Sequence, residues 1–587
     1  MVASSSMEVD SLSEGLASLR TSPLSTVDAL FSEDATVATL RDRFEASMAS
    51  AGVEASKLPL LSRGSYASGA LAPQSLVRYV GMVQDMANPE YYLPSMPTAA
   101  SGRACTMFRD RAPAGATQDA EPKFAERRPL FVVPVPGLQP WAAEACGGVP
   151  AVTEAVSRAS TKRPLCEEED DDDEGEEGGA SSTSKGLKTR PGAAAVVAGA
   201  AVSAETGVPC VVRVYGPCVP KLNDVVEFVG VLGGSAIAAP ESAGLDPAPE
   251  GLDDYEAERL EDEGAWDPPT SRVARLHCVS YRVLPEWHPR AAPDGFDASE
   301  ASEARRDVLE VLTGACAGDA VAGEFALLAL LAKTEKRHTT RVVGAASLGL
   351  RCRAMRREVC DALHAALCAL APQVKRVATG SATAPLRAPG GEKLAPSDLQ
   401  LQRGAVLLAE VDGAPPDTPM AHAAIRALAG ALGGEKTVPY NFGFHEVNFD
   451  ADLAAFLVSG VETGGLDVDC DVPLVPAAPA PVEVLLDDAR LARARAYVAH
   501  ARGLVVAIDD RAASDLEDQY LAARATGKIN KINAEDRLNA WVSASKLYAK
   551  SLATTQLAPA HFNYCFDLED RRFARLGALR RELRPKA

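Results

Sequence analysis

No two of the twelve cysteines stand as CxxC, and the eight histidines are dispersed, so the chain offers no zinc-ligand spacing. Across so long a sequence it also lacks the density of a disulfide framework, and scattered thiols point to reduced cysteines in an intracellular protein. Long apolar runs are missing too. The longest bland run, Gly192 to Ala204, is Ala/Gly-rich and too short to span a bilayer, and the start, MVASSSMEVDSLSEG, has neither a basic n-region nor an apolar h-region. A soluble, unsecreted chain with no membrane partner is expected. Positive charge is in deficit: 60 Lys and Arg face 80 Asp and Glu, for a net charge of -20. Ten of the acids lie in one run, Glu167 to Glu177, and the chain stays acidic without them. Such a balance repels phosphate backbones, so direct nucleic-acid binding is not expected and basic protein surfaces are the easier match.

Catalytic signatures are absent as well. There is no GxGxxG, GxSxG or HExxH, and Asp467, Asp469 and Asp471 lack the glycine and glutamate of a calcium loop. These aspartates read as the solvent-facing side of a strand, and His277, beside Cys278, reads as a barrel residue. No catalytic, cofactor-binding or metal-binding residue is assigned, and no cofactor is expected.

What is present is organised around Pro209 to Leu232, PCVVRVYGPCVPKLNDVVEFVGVL. The β-branched runs Cys210 to Tyr215 and Val225 to Leu232 read as two strands joined by a turn at Gly216, Pro217 and Pro220 to Asp224. Gly230 would permit the tight bend of a small barrel, which makes this the centre of an OB-like β-barrel. Further strands are expected from Leu76, stopping at Asn88-Pro89, over Leu130 to Val135, with prolines that confine it to an edge or strand end, and over Arg272 to Val279. Two short helices precede them between Pro23 and Ser50. The low-complexity span Ser157 to Gly207 and the acidic, Pro-rich loop Ala238 to Pro269 interrupt the barrel and are not assigned secondary structure.

Beyond Ser299 the pattern changes. Stripes at Val308, Val311, Leu312 and Ala315 and at Val321, Phe325, Leu328 and Ala332 predict two helices broken at Gly318-Asp319. Strands over Val342 to Leu350, Ala405 to Val411 and Ala454 to Ser459 then alternate with helices from Ala354 to Leu370 and Met420 to Leu432, the pattern of a mainly parallel α/β layer. Thr379 to Pro396 reads as one long loop. The last hundred residues are helical, with Asn533 as an N-cap, Trp541 on a core face and Pro559 opening a further helix. The domain map is a helical region over 1–70, the barrel over 71–290 with an insertion at about 157–207, the α/β domain over 299–480, and a helical lid with a basic tail over 481–587.

One echo of a nucleotide site remains. GAASLGLR, Gly344 to Arg351, has G-x4-G spacing, but Leu350 and Arg351 stand where a phosphate loop needs Lys and Ser/Thr. VLLAEVDG places Glu410 and Asp412 at a strand end, where a metal-coordinating acid would sit.

The motifs LVRYVGMVQDMANPEYYL, FVVPVPG with Trp141 following, KRPLCEEEDDDD, VVRVYGPCVPKLNDVVEFVGVL and GDAVAGEFALLALLA, in this order, resemble the mini-chromosome maintenance (MCM) complex-binding proteins from about Pro23 to Arg575. The resemblance implies a multi-domain α+β protein built like the MCM helicase subunits it binds: an OB-like barrel, a degenerate AAA+-like α/β domain and a C-terminal helical lid. It places Asp536 where such a lid normally carries an arginine that reaches nucleotide. It further implies a non-catalytic nuclear protein that associates with MCM subunits, and with chromatin only indirectly. Such proteins promote disassembly of the MCM ring from chromatin late in S phase, help supply MCM subunits and support replication and sister-chromatid cohesion. Lys162, Arg163, Lys185 and Lys188, flanking the acidic run, are the candidate nuclear import signal. Two rival classes stay open. One is an active AAA+ ATPase; the other is a single-strand-binding OB protein stacking bases on Tyr79, Tyr91, Tyr92 and Tyr215.

Overall fold

The computed structural model describes residues 19, 21–32, 36–99, 102–117, 121–145, 207–234, 273–284, 286, 296–338, 342–386, 394–413, 417–525 and 534–583. The four lysines and arginines of the candidate import signal, Asn533 and the insertion at 157–206 lie outside these residues.

Helices α1 (Pro23–Leu30) and α2 (Val37–Ser50) form where the apolar spacing predicts them, and Thr36 caps α2 by accepting a hydrogen bond from Thr39 N. A short α3 (Arg63–Ala67) leads into β1 (Leu76–Met86). Then come β2 (Glu90–Tyr92), the small pair β3 (Ser95–Pro97) and β4 (Arg103–Cys105), β5 (Ala125–Val133), helix α4 (Pro140–Ala145), β6 (Cys210–Tyr215), β7 (Val225–Leu232) and β8 (Ala274–Val283). Five of these strands close a ring in the order β1, β7, β8, β6, β5 and back to β1; β6 and β8 run parallel, and every other neighbouring pair runs antiparallel.

The two strands of the central motif are therefore not paired with each other, because β8 lies between them. Gly216, at φ +89°, turns the chain out of β6, and Pro217 and Pro220 have no N–H for a hairpin ladder. Gly230 marks a bulge against β8, where a Cβ would stand 2.4 Å from His277 O. β5 is no edge strand: it pairs with β6 on one side and with β1 and β2 on the other. Pro129 sits inside it, in the gap between the β1 and β2 pairings, so its missing N–H breaks no ladder there.

The second body opens with α5 (Ala298–Ala315) and α6 (Ala320–Leu331), whose caps Asp297 and Asp319 each accept two backbone N–H bonds. α6 is buried from Val321 to Leu331, all round rather than along one stripe. The expected strand from Val342 is broken in two at Gly344, φ +89°. β9 (Lys336–Arg337) and β10 (Val342–Val343) form a small pair, and β11 (Ser347–Arg351) enters the main sheet. Next come α7 (Arg356–Leu370), β12 (Val374–Ala378), β13 (Val406–Glu410), α8 (Pro419–Leu432), the hairpin β14 (Thr437–Asn441) and β15 (Glu446–Asp450), β16 (Ala454–Ser459) and β17 (Cys470–Pro473). Five strands make an all-parallel sheet in the order β12, β13, β16, β11, β17.

Alternation along the strands supplies two cores. Val406, Leu408, Phe456 and Val458 face one side, against α5, α6 and α7 and against the later helices α9 (Asp488–Gly503), α11 (Ala534–Ser551) and α12 (Pro559–Leu583). Leu407, Ala409, Ala455 and Leu457 face the other side, against α8. Helix α10 (Asp510–Ala525) buries only Ala512 and Ala523. Trp541 is buried and donates to Phe562 O at 2.7 Å. Among the described residues no single helix is long and apolar enough to cross a membrane.

Candidate functional site

In open parallel sheets ligands bind in the crevice at the carboxyl ends of the strands, where connections leave in opposite directions. Here that place lies between β11 and β16, and a phosphate loop would join β11 to α7. The connection is only Cys352 to Met355, without glycine, and Met355 itself holds φ +56°. The glycine spacing seen in the sequence falls before and inside β11 and so forms no cradle; a Cβ at Gly349 would stand 2.8 Å from the Val468 side chain.

The crevice is laced shut by backbone hydrogen bonds that continue past the strand ends. Thr379 N donates to Glu410 O at 2.9 Å, Val411 N to Val458 O at 3.0 Å, Cys352 N to Ser459 O at 2.8 Å and Leu474 N to Arg351 O at 2.9 Å. Each adjacent strand pair is tied in this way, so the first amide past each of these strand ends is already committed.

The acids at the end of β13 are committed as well. Glu410 is buried and accepts from Arg376 Nη2 at 2.6 Å, while Arg356 Nε stands 3.8 Å from its other oxygen. Partial burial of Arg376 pulls its pKa down, but its hydrogen bonds to Glu410 and Asp361 outweigh that and raise it. Asp412 Oδ1 accepts from Gly380 N at 2.9 Å and Thr379 Oγ1 at 3.1 Å. Across the sheet, Arg351 Nε donates to Asp471 at 2.6 Å, and Arg353 is ion-paired with Glu582 at the end of α12. Asp469, read from sequence as solvent-facing, accepts from Ser347 N at 2.8 Å and pairs with Lys436 at 2.6 Å. Asp467 and Asp469 are both exposed, as read, while Asp471 is half-buried against Arg351. Asp536 lies in the part of α11 whose side chains are outside the described residues; the next residue, Arg537, packs on Phe573 at 4.0 Å and pairs with Asp570 at 3.2 Å. Among the described residues no group of three or more His, Cys, Asp or Glu could hold a metal ion.

Three of the four candidate tyrosines are buried, Tyr79 in the barrel core and Tyr92 and Tyr215 in the cluster the barrel makes with α1 and α2. Tyr79 and Tyr215 are 1% exposed and Tyr92 is 9% exposed, which leaves only Tyr91 of the four as a stacking surface. Tyr215 OH stands 2.7 Å from His277 Nδ1, and His277 Nε2 stands 2.9 Å from Asp110. Burial lowers the His277 pKa against the raising effect of Asp110, and the hydrogen bond from His277 brings Asp110 down to about 2. A neutral imidazole accepting from Tyr215 and donating to Asp110 satisfies the whole chain. His277 is thus a barrel residue.

Sequence reasoning missed the joint between barrel and sheet. Gln84 Nε2 donates to Leu394 O at 3.1 Å, Leu394 N to Asp85 at 2.8 Å, Gln400 Nε2 to Gln84 O at 2.7 Å and Asn223 Nδ2 to the Tyr440 hydroxyl at 2.8 Å. The FVVPVPG motif ends in the same joint. Gly137, φ +70°, lies against Val374, where a Cβ would stand 2.5 Å from the carbonyl oxygen, and Trp141 Nε1 donates to Cys368 O at 3.0 Å under the Arg495 guanidinium, 3.9 Å from the ring centre. Polar residues inside a strand, Gln84 and Asp85, were the available signal.

The comparisons with known proteins agree over nearly the full length. A mini-chromosome maintenance complex-binding protein of Arabidopsis thaliana is 26% identical over 554 residues, covering 89% of this chain and 91% of its own length. The protein of that name from Salmo salar is 28% identical over 548 residues, covering 83% and 86%, and the one from Homo sapiens is 24% identical over 590 residues, covering 86% and 89%. A family model described as mini-chromosome maintenance replisome factor matches residues 48–576. The chain, with its closed barrel and laced parallel sheet, belongs to the mini-chromosome maintenance replisome factor family.

Proposed function

We propose that this protein binds subunits of the MCM complex and acts on MCM assemblies through binding alone. The observation that carries the reading is the match of 529 of its residues, 48 through 576, to a family whose curated relatives are named for binding that complex. The layout supports it. We read the ring of five strands with β6 and β8 parallel as an OB-type barrel, and the sheet order β12, β13, β16, β11, β17 as that of an AAA+-type domain. In this reading the domains keep the limits of the sequence map, and the helices after 481 are a lid that packs with α5, α6 and α7 on one face of the sheet.

The AAA+-type domain is degenerate in this reading. The place of the phosphate loop has no glycine, the Cys352 amide that opens it is hydrogen-bonded to Ser459 O, and Glu410 is held by Arg376. A domain of this shape without nucleotide presents the outline of a ring neighbour, and its differential affinity for free and assembled subunits shifts the equilibrium between them. We place the protein in the nucleus, where it promotes MCM unloading late in S phase and supplies MCM subunits, in support of replication and cohesion. Base stacking on an OB groove is disfavoured because three of the four candidate tyrosines are buried.

The test is an affinity capture from S-phase nuclear extract with the purified chain as bait and mass spectrometry of what is bound. MCM subunits are expected among the recovered proteins. Recovery of none of them overturns the reading.

A further inference from the structure

We propose that the β14–β15 hairpin is a docking prong whose tip residue, Phe444, enters an apolar pocket on a folded MCM subunit. The proposal deepens the functional reading above and rests on it.

Phe444 is 96% exposed, the most exposed large apolar side chain among the described residues. The fold gains nothing from it, since a benzyl group so fully solvated packs on no core. Everything beneath it is fixed. Tyr440 is buried and packs tilted at 36° against Phe449 with ring centres 4.4 Å apart, and Asn441 N donates to Pro385 O at 3.0 Å. The turn is closed by Phe442 N to His445 O at 2.9 Å and Gly443 N to Asn441 Oδ1 at 2.8 Å, with Gly443 at φ +87°. The Phe442 and His445 rings stack 5.3 Å apart at 17°, and Glu446 is ion-paired with Arg426 of α8. A rigid tip holding one large aromatic in water is the form of a binding hot spot, because little ordering entropy remains to be lost when the ring is buried.

Charge narrows the partner. Between Thr437 and Asp450 the hairpin carries no lysine or arginine, its two acids are already paired, Glu446 with Arg426 and Asp450 with Arg337 at 3.3 Å, and the flanking Val447 is 39% exposed. The tip thus offers a phosphate backbone no cation, and a second copy of a chain at net charge -20 meets like charge. A folded protein with an apolar pocket complements the ring, and the curated relatives are named for binding the MCM complex.

The test uses the full chain, immobilised, with purified MCM subunits presented one at a time. Wild type is expected to capture at least one subunit, and Phe444→Ser to weaken that capture by roughly tenfold to a hundredfold, the loss typical of a central aromatic anchor. Thermal unfolding should be unchanged, since Phe444 touches no core. Gly443→Ala, which strains a positive φ while leaving the ring in place, should weaken capture by a smaller factor. Equal capture by wild type and Phe444→Ser overturns the proposal and leaves the functional reading standing. Capture of no subunit by wild type overturns both. Conversion of a wild-type dimer to monomer by Phe444→Ser, or loss of single-stranded DNA binding, would assign the ring to a different partner and also overturns it.

Discussion

Replacing Glu410 by alanine removes the carboxylate that a working ATPase domain would keep at this strand end for metal, and the structure gives that carboxylate a different role. Glu410 is buried between Arg376 on β12 and Arg356 on α7, with the shorter contact at 2.6 Å. Removing one partner of a fully buried pair costs about 3–5 kcal/mol. Arg376 is 29% exposed and keeps Asp361 at 2.5 Å, so water and that second acid recover part of the loss. The expected destabilisation is about 1–3 kcal/mol, or roughly 2–8 °C in the unfolding transition of a domain of this size. The assay is calorimetry of wild type, Glu410→Ala and the double variant Arg376→Met/Glu410→Leu, each with and without ATP and magnesium. The double variant should regain most of the loss, because an apolar pair of similar volume leaves no buried charge alone. ATP should shift none of the three. A transition in wild type that rises with ATP and magnesium, and that Glu410→Ala abolishes while its melting in buffer stays unchanged, would refute the reasoning: the acid would then hold metal and not the fold.

Further outcomes follow from other parts of the molecule. Gly137→Val forces a Cβ toward Val374 O, 2.5 Å from the ideal position; the amides of Gln139 and Val374, which bond across the joint, should then exchange hydrogen about tenfold faster, and unchanged exchange would contradict the joint as described. His277 is buried with its pKa below the usual 6.5, so the unfolded chain takes up the proton first. Its contribution to stability is full above about pH 6.5 and is lost as the pH falls from there through the folded value, and a denaturant series at stepped pH should show a slope that His277→Gln flattens. Identical slopes in both proteins would exclude that role. Replacing Lys162, Arg163, Lys185 and Lys188 together should move a tagged protein toward the cytoplasm, and unchanged nuclear accumulation would remove them as an import signal.

Much of the fold was legible because its buried strands are written in β-branched runs. Cys210–Tyr215, CVVRVY, is such a run, Ala454–Ser459, AAFLVS, is a short apolar one, and both appear as strands at the expected residues. β12 was not legible: VKRVA is short and carries two charges, which the structure spends on Asp398 and Glu410. β17, CDVP, ends in a proline and pairs only along one edge of the sheet. The hairpin hid behind Pro439, which reads as a breaker though it pairs with Asn448 in the ladder. Missing β12 also hid the partner of Glu410, so the strand-end acid was visible from sequence while the arginine that occupies it was not. The glycine spacing of Gly344 to Arg351, which reads from sequence more like a strand than a phosphate cradle, falls before and inside β11. The joint was invisible because its bonds connect residues far apart in sequence, 310 positions between Gln84 and Leu394 and 217 between Asn223 and Tyr440.

The central claim, action on MCM assemblies by binding and not by ATP hydrolysis, is tested most directly by mixing the purified chain with MCM hexamer in the absence of nucleotide and following subunit release by gel filtration. Release should rise with the concentration of this chain, proceed without ATP, and persist in Glu410→Gln with its folding and MCM binding intact. Release that occurs only with hydrolysable ATP and is abolished by that single substitution would contradict the claim and make the sheet domain a working motor.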